Sequence, residues 1–307
     1  MKLTPFDALP ARLVAELSDA GLDAQAVYRH IVAALEEDLP NGAGDITTES
    51  TIPASTRVRG DFRARERGVV AGLGIAAFAF HVVMGDEVVI ENRCADATPV
   101  VPGDVVMTVA GPARGILIAE RTALNFASHL CGVATATARW VEAVAGTGAQ
   151  VLDTRKTLPG WRALEKYAVR CGGGTNHRFS LSDMAMVKDN HVVAAGGIVE
   201  AFEAVRAAHP EVLVEVEVDT LEGLELVLAA GCRRVLLDNM STETMRQAVA
   251  INRDSYQGQA ALEASGGLTL ERAREVAQTG VDFLSVGALT HSVTVFDIGL
   301  DLQEVPA

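Results

Sequence analysis

The stretch VLVEVEVDTLEGLELVLAAGCRRVLLDN, residues 212–239, decides the fold of this 307-residue chain. Its run of β-branched residues over Val212–Val218 predicts a strand. Asp219-Thr220 offers capping oxygens to a helix over Leu221–Ala230, and Arg234–Leu237 predicts a second strand. A strand, a helix and a strand in this order predict two parallel strands joined by a right-handed crossover.

The same alternation continues on both sides of this stretch. The further strand candidates are Gln150–Asp153, Ala185–Lys188, Ala260–Ala264 and Asp282–Val286. The further helix candidates lie around Trp161–Arg170, Ile198–His209, Thr242–Asn252 and Thr269–Thr279, with Ser241-Thr242 and Thr269 as N-caps and Gly231 and Gly280 at helix ends. Six strands are fewer than a complete barrel needs, so the pattern predicts an incomplete α/β barrel. A doubly wound open sheet is the alternative, although no GxGxxG follows a first strand.

The first part of the chain, residues 1–124, has a different pattern and predicts an N-terminal α+β sandwich domain with an antiparallel sheet. Its candidate elements are a helix over Ala24–Leu39, short strands over Thr56–Arg65, Gly68–Ala71, Glu87–Asn92 and Asp104–Ala110, and a buried helix before Met84. A long helical pattern begins at Ala119, and Gly132 is expected to break it. We place the barrel domain at residues 125–291.

Charge and cysteine content exclude several classes of protein. Lys and Arg number 26 against 40 Asp and Glu, for a net charge of −14. A binder of nucleic acid or of anionic membranes needs a basic surface, so neither partner is expected. The cysteines Cys94, Cys131, Cys171 and Cys232 form no CxxC pair, and the N-terminus lacks the apolar core of a signal peptide. We therefore expect a cytoplasmic protein with reduced thiols.

Catalytic groups of α/β barrels lie at the carboxyl ends of the strands, and here those ends carry an ordered set of chemistries. The early ends are cationic, the middle ends are acidic and the last are small and rich in glycine. In strand order the candidates are Thr154, Arg155 and Lys156; Lys188; Glu217; Asp238; Ser265, Gly266 and Gly267; and Val286, Gly287, Ala288 and His291.

The acidic and glycine-rich ends predict a metal and a phosphate site. Glu217 and Asp238 end adjacent strands, and two carboxylates without a His–Cys cluster suit Mg²⁺. An interior salt bridge is the alternative, and Glu215 or Glu217 could be the partner of an Arg or Lys. The loop Ser265–Gly267 precedes a helix and exposes backbone N–H groups to a phosphate, although any βα turn needs such residues.

The cationic ends predict an anionic substrate. Between residues 150 and 191 there are seven Lys or Arg and four Asp or Glu, a balance of +3 within an acidic chain. Arginine binds carboxylates through two parallel hydrogen bonds, so this region, with Arg121 upstream, suits a substrate with more than one carboxylate. The three glycines at 172–174 bring His177 and Arg178 toward the strand ends, and we expect Arg162, Lys166 and Arg170 on a solvated helix face.

Taken together, the motifs DTRKT, GGGTNHR, MVKDNH, EVEV, LLDN, SGG and SVGALTH, in this order and spacing, resemble the quinolinate phosphoribosyltransferase family. The resemblance runs from GDIT, at about Asp45, to His291. It implies an N-terminal α/β sandwich, an incomplete α/β barrel, and a C-terminal tail over residues 292–307 that returns to the N-terminal domain. It also implies a homodimer in which the sandwich of one subunit closes the barrel of the other.

The resemblance further implies a reaction and residue roles. Quinolinate and 5-phosphoribosyl-1-diphosphate would give nicotinate mononucleotide, diphosphate and CO₂, with Mg²⁺ as cofactor. Arg121 of the partner subunit, Arg155, His177 and Arg178 would hold the quinolinate carboxylates. Lys156, Lys188, Glu217 and Asp238 would be catalytic, with the two acids near the ribose and the metal, and Ser265, Gly266, Gly287 and His291 would receive the phosphate.

Three alternatives remain open at this point. A related phosphoribosyltransferase would use another pyridine carboxylate, such as nicotinate, and would need fewer cations. A Schiff-base enzyme would use Lys188 as its nucleophile. A binding protein for a phosphate ligand would need no ordered catalytic groups.

Overall fold

The computed structural model describes residues 3–304, which form two compact units. The first contains residues 3–136, Ala163–Gly172 and 293–304, and the second contains Thr137–Arg162 and Gly173–Ser292. The domain boundary at residues 124 and 125 stays a prediction. Residues 305–307 of the tail lie outside the described part of the chain.

Strands and helices alternate along most of the chain. The strands are β1 (Arg57–Ala64), β2 (Gly68–Val69), β3 (Val89–Glu91), β4 (Pro99–Val100), β5 (Val105–Pro112), β6 (Gln150–Leu152), β7 (Ala185–Val187), β8 (Val214–Val218), β9 (Arg234–Asp238), β10 (Ala261–Ser265), β11 (Phe283–Ser285) and β12 (Ile298–Glu304). The helices are α1 (Ala11–Asp19), α2 (Ala24–Asp38), α3 (Ile46–Thr51), α4 (Leu73–Met84), α5 (Ala113–Val144), α6 (Arg162–Cys171), α7 (Asp189–Ala195), α8 (Ile198–Ala208), α9 (Leu221–Ala229), α10 (Thr242–Tyr256), α11 (Leu270–Ala277) and α12 (Ala288–His291). Short 3₁₀ helices occur at Phe6–Ala8, Pro40–Gly42 and Gly85–Glu87.

The first unit is built on an antiparallel sheet in the order β12-β1-β5-β3. Alternate residues of β1 are buried, as expected of a strand with one face on a core. Strand β12 pairs with β1 over its length, with Phe62 opposite Leu300. The chain therefore returns to the N-terminal sheet after the second unit.

Helix α4 is the most apolar segment of the chain and lies in the core of the first unit. Residues Leu73–Phe80 are all buried, and the helix has 12 residues. No helix within residues 3–304 is both long and apolar enough to cross a membrane.

The second unit contains six parallel strands in the order β6-β11-β10-β9-β8-β7. The first strand along the chain is hydrogen-bonded to the last one, and each of the others pairs with its neighbour in sequence. The strands therefore follow the circular order of a barrel that is open only between β6 and β7. This confirms the incomplete α/β barrel and argues against a doubly wound sheet, where the first strand lies inside the sheet.

Local signals at the helix ends had different outcomes. The hydroxyl of Thr220 accepts the N–H of Gly223 at 3.1 Å, and that of Ser241 accepts the N–H of Thr244 at 3.1 Å. Both predicted caps are therefore confirmed. Thr269 is the N-cap residue of α11, as predicted, but the expected hydrogen bond to its side chain is not formed.

The predicted break at Gly132 was wrong, because α5 is continuous from Ala113 to Val144. A Cβ added at Gly132 would lie 2.4 Å from the carbonyl oxygen of Thr294. The N–H of Phe296 donates to the carbonyl oxygen of Ser128 at 3.0 Å, which holds this segment against the helix. Gly132 therefore permits a close backbone approach and does not end the helix.

The expectation for α6 was wrong at one residue. Lys166 is fully buried, as is its neighbour Glu165, which contacts Nε2 of His129 at 2.7 Å. The hydroxyl of Tyr167 donates to Asp96 at 2.7 Å. Both partners belong to the first unit. Packing of this helix within the first unit therefore buries a face that the charge pattern predicted to be solvated, while Arg170 remains exposed.

Replacement of Gly132 by alanine tests the close approach. In an isolated helix this change would add about 1 kcal/mol of stability. Here we expect a loss of about 1–3 kcal/mol, because the methyl group meets a backbone oxygen that cannot move independently. Urea unfolding measures the difference. Gly115→Ala, whose added methyl would lie 2.4 Å from Cγ and Sδ of Met84, a side chain that can change rotamer, is the control in the same helix. Equal effects of the two substitutions would contradict this explanation.

Candidate active site

The carboxyl ends of the six parallel strands surround a cavity of about 680 Å³. Its lining residues are Thr154, Arg155, Lys156, His177, Arg178, Met186, Lys188, Glu217, Leu236, Asp238, Asn239, Glu263, Ser265, Gly266, Gly267 and Ser285. Most of the residues that the sequence singled out therefore lie together. They do so because parallel strands carry their carboxyl ends to the same edge.

The cations are crowded on one side of the cavity. Arg178 Nη1 donates to the carbonyl oxygen of Met184 at 2.9 Å, which fixes the guanidinium. Burial and the neighbouring Arg155 lower the pKa of Arg178. The Nε of Arg155 is buried and donates no hydrogen bond within residues 3–304. The two positive charges of Arg155 and Arg178 repel each other, and the buried Nε of Arg155 has a hydrogen that it does not donate to any described residue. Both features favour an anion bound between the two guanidinium groups.

Lys156 is held by contacts with the residues that follow the last strand. The hydroxyl of Thr290 donates to the carbonyl oxygen of Lys156 at 2.7 Å. A Cβ added at Gly287 would lie 3.1 Å from Cδ of Lys156 and 3.0 Å from Nε2 of His291. Glycine at 287 therefore leaves room for the lysine stem, and it places His291 beside this corner, although His291 does not line the cavity.

The carboxylates lie beyond the cations along the strand order. Glu217 accepts a hydrogen bond from the ammonium of Lys188, and Asp238 accepts one from the side-chain amide of Asn239 at 2.8 Å. Both acids face the cavity and offer hard oxygen ligands, the type that Mg²⁺ prefers. The donor set therefore fits this ion, and the Lys188 contact also makes Glu217 a charge partner.

The loop after β10 has the backbone of a tight turn. Gly266 and Gly267 both have positive φ, 85° and 58°, which side chains with a Cβ rarely adopt. Helix α11 starts at Leu270. The N–H groups of its first turn have no partner within the helix and point toward its N-terminus, where the loop lies. This loop therefore presents backbone donors next to the carboxylate of Asp238, whose Cα pairs with that of Ser265.

A buried ion cluster lies on these strands at the base of the cavity, where Glu263 is also a lining residue. Glu215, Arg234 and Glu263 come from β8, β9 and β10, and both carboxylates are inaccessible to solvent. Arg234 Nε donates to Glu215 at 3.1 Å, and its Nη2 donates to Glu263 at 2.5 Å. The hydroxyl of Ser285 also donates to Glu263. Two buried carboxylates thus share one guanidinium.

His177 contacts both carboxylates of this cluster. Its Nε2 lies 3.0 Å from Glu215 and 3.4 Å from Glu263. Burial lowers the pKa of His177, but hydrogen bonds to the two carboxylates raise it, to about 9 on balance. Its Nδ1, however, accepts the N–H of Arg178 at 2.7 Å, which favours a ring protonated only at Nε2. Burial also raises the pKa of Glu215, so the proton that these raised pKa values imply belongs to the pair of His177 and Glu215 and not to one residue alone.

The glycine-rich segment before His177 is tied to the first barrel strand. Thr175 forms a parallel bridge with Leu152, at the edge where β6 lacks a strand partner. Buried Asp153 accepts the backbone N–H of His177 at 2.8 Å and the amide of Asn176 at 2.6 Å. These bonds fill part of the opening between β6 and β7 and fix the direction in which Arg178 leaves the loop.

Some predicted site residues lie elsewhere, and the sequence missed others. Arg121 is an exposed residue of the first unit, where it lines a separate cavity of about 330 Å³ together with Asp45 and Thr47 of the GDIT motif. The predicted residues Val286, Gly287 and Ala288 do not line the larger cavity.

The sequence also missed some residues that line the larger cavity. They are Met186, Leu236, Asn239, Glu263 and Ser285. Counting back two residues from Ser265 would have found Glu263 on the same strand face.

Comparison with protein families gives two matches that cover most of the chain. Residues 45–131 match the model of the quinolinate phosphoribosyl transferase N-terminal domain. Residues 133–301 match the model of the C-terminal domain of the same family.

Individual relatives agree with these matches. A nicotinate-nucleotide pyrophosphorylase (carboxylating) of Mycobacterium leprae is 51% identical over 287 residues, which cover 93% of this chain and 100% of the relative. A probable enzyme of the same name from Bacillus subtilis is 39% identical and covers 85% of this chain and 89% of its own. The solved structure of nicotinate-nucleotide pyrophosphorylase from Francisella tularensis has a TM-score of 0.85 at 37% identity, and covers 91% of this chain and 96% of its own.

Arg234→Met tests the buried ion cluster. The substitution keeps the apolar stem but leaves Glu215 and Glu263 without their shared guanidinium. We expect a loss of about 3–5 kcal/mol in the free energy of unfolding at neutral pH, since an uncompensated buried charge is costly. The adjacent and exposed Arg233 supplies the control: Arg233→Met should change stability by less than about 0.5 kcal/mol. Similar values for both variants in urea unfolding would refute the role of the cluster.

Proposed function

The chain belongs to the quinolinate phosphoribosyl transferase family, and on this premise we propose its reaction. It transfers the phosphoribosyl group of 5-phosphoribosyl-1-diphosphate to quinolinate, with loss of CO₂, and gives nicotinate mononucleotide and diphosphate. It is thus a pentosyltransferase of de novo NAD biosynthesis. The observation that carries this proposal is that three kinds of group line the same cavity. Closely spaced cations, two carboxylates and a glycine loop follow one another around the carboxyl ends of the strands.

We assign quinolinate to the cationic side. The substrate has two carboxylates, and Arg155 and Arg178 can each bind one through paired hydrogen bonds. The unused Nε of Arg155 is a donor for this purpose. Lys156 and Lys188 add charge at the border with the second substrate. Both ring nitrogens of His177 already have partners in the protein. His177 therefore contributes to quinolinate binding by contact through its ring and by orienting Arg178.

The second substrate would lie along the acidic and glycine-rich strand ends. Glu217 and Asp238 face the ribose, and they would hold Mg²⁺, directly or through water. When bound, this ion would neutralise charge on the departing diphosphate. Ser265, Gly266 and Gly267 would receive a phosphate through backbone N–H groups. We place Val286, Gly287, Ala288 and His291 at the edge of the same phosphate site.

The chemistry needs positioning more than an activated side chain. The ring nitrogen of quinolinate has its own lone pair and attacks the ribose carbon as the bond to diphosphate breaks. The carboxylates of Glu217 and Asp238 stabilise the positive charge that develops on the ribose. The alkylated ring then carries a positive nitrogen. The bond from the adjacent carbon to its carboxylate breaks, the electron pair stays on that carbon, and a proton from water replaces the CO₂.

We further propose a cytoplasmic homodimer with shared sites. The exposed Arg121 and the GDIT motif lie together in the first unit, as expected if this surface serves the site of a second copy. The four cysteines are free thiols, which suits a reducing compartment.

A direct assay tests the reaction and its main alternative. Purified protein with 5-phosphoribosyl-1-diphosphate and Mg²⁺ should form nicotinate mononucleotide from quinolinate, and addition of EDTA should stop it. Quinolinate should be preferred over nicotinate, because the crowded cations match two carboxylates. We expect Arg155→Ala to lower kcat/KM for quinolinate by about 100-fold, the size of a lost charged contact. Arg253→Ala, which removes an exposed arginine that pairs with the neighbouring Asp254, should be without effect.

The outcomes separate the alternatives. No product from quinolinate at micromolar enzyme would overturn the proposed function. Product from nicotinate alone would favour the related phosphoribosyltransferase. A covalent adduct on Lys188 after borohydride reduction with a carbonyl substrate would favour the Schiff-base mechanism. Substrate binding without turnover would favour the binding protein.

Mixing of inactive variants tests the shared site. Arg121→Ala and Lys156→Ala should each be inactive yet folded. If subunits exchange, the mixture should regain about one quarter of wild-type activity, because half of the subunits pair as heterodimers with one intact site each. Subunit exchange is checked with differently tagged copies. Exchange without any recovery would contradict the proposed dimer.

A further inference from the structure

Asn239 connects the end of β9 to the loop after β10. Its backbone is left-handed, with φ of 53°, a conformation that asparagine tolerates better than most residues. Its side-chain Nδ2 donates to Oδ2 of Asp238 at 2.8 Å. Its backbone N–H donates to the carbonyl oxygen of Ser265 at 3.0 Å. One residue therefore bonds both the carboxylate on β9 and the loop on β10.

The side chain of Asn239 also packs against the glycine loop. A Cβ added at Gly266 would lie 2.3 Å from Oδ1 of Asn239 and 2.5 Å from its Cγ. The amide thus occupies the space that any side chain at position 266 would need. The loop and the amide fit together only because residue 266 is glycine.

We propose that Asn239 is a positioning residue for 5-phosphoribosyl-1-diphosphate. It orients the carboxylate of Asp238 toward the ribose and holds the loop Ser265–Gly267 in the form that receives a phosphate. This inference rests on the proposed function. It adds a residue that acts through its neighbours on one substrate and leaves the quinolinate side of the cavity untouched.

Asparagine is suited to this task by two properties at once. Aspartate has the same shape and tolerates the same φ, but it cannot donate to Asp238 and places a second negative charge beside it. Glycine keeps the backbone conformation and loses the amide. Asn239→Asp and Asn239→Gly therefore remove the hydrogen bond in two ways that do not force a change of φ.

Binding and kinetics are measured on the full-length protein. We expect both variants to weaken binding of 5-phosphoribosyl-1-diphosphate, measured by calorimetry with Mg²⁺, by about tenfold or more, as for a lost hydrogen bond to a charged group. The KM for this substrate should rise in parallel. The KM for quinolinate should stay within about threefold and the melting temperature within about 2 °C. Asn92 has the same left-handed backbone, φ 47°, in the first unit and is exposed, so Asn92→Asp and Asn92→Gly are the matched controls.

A double-mutant cycle tests the contact with the loop. Gly266→Ala should weaken substrate binding strongly in the wild type, because its methyl group collides with the amide in addition to the strain that φ of 85° imposes on alanine. In Asn239→Gly the amide is absent, so the same change should have a smaller effect. Additive effects would overturn the proposed coupling between the amide and the loop.

The remaining outcomes are distinct. Equal rises in KM for both substrates, or a large fall in melting temperature, would show a merely structural role and overturn the inference. An active wild type with unchanged Asn239 variants would overturn it while leaving the proposed function intact. A wild type that neither binds nor uses 5-phosphoribosyl-1-diphosphate would overturn both.

Discussion

Arg234 lies between two carboxylates that have no access to solvent, and the site is built on this buried ion cluster. The guanidinium joins Glu215 of β8 to Glu263 of β10 across its own strand β9. Charges are costly to bury, so a change of register that separated these partners would leave a buried charge uncompensated. The cluster therefore fixes the relative positions of the strand ends that carry Glu217, Asp238 and Ser265.

The open side of the barrel, between β6 and β7, is partly covered by the segment that precedes His177. Because β6 and β7 do not pair, the segment that contains the three glycines bonds to β6 through Thr175 and to Asp153. His177 then reaches the ion cluster, and Arg178 enters the cavity beside Arg155. The incomplete closure thus provides the room in which the cationic half of the site is assembled. A closed barrel would fill that edge with another strand.

Much of this arrangement could be predicted from local sequence signals. Strand and helix candidates of the second unit agree with the structure within a few residues, and the family resemblance carried by the strand-end motifs is confirmed. Two of the errors share one cause. The continuity of α5 at Gly132 and the burial of Lys166 depend on distant segments that pack against those residues. Asn239 was passed over because an asparagine after a strand is ordinary turn chemistry until its partners are known.

By itself, the sequence determined the order of chemistries around the barrel. The hydrophobic periodicity and the turn residues determine where the strands lie. The residues that follow each strand place cations at the first strand ends, acids at the middle ones and glycines at the last. Only the tertiary structure decided which of these groups are shared, buried or fixed. Two glutamates two residues apart, Glu215 and Glu217, lie on one strand face, yet one is sealed around Arg234 and the other faces the cavity. Glu217 is nearer the carboxyl end of the strand, and Glu215 is further inside the barrel. How far each residue is buried depends on the packing of distant segments, which no local sequence pattern specifies.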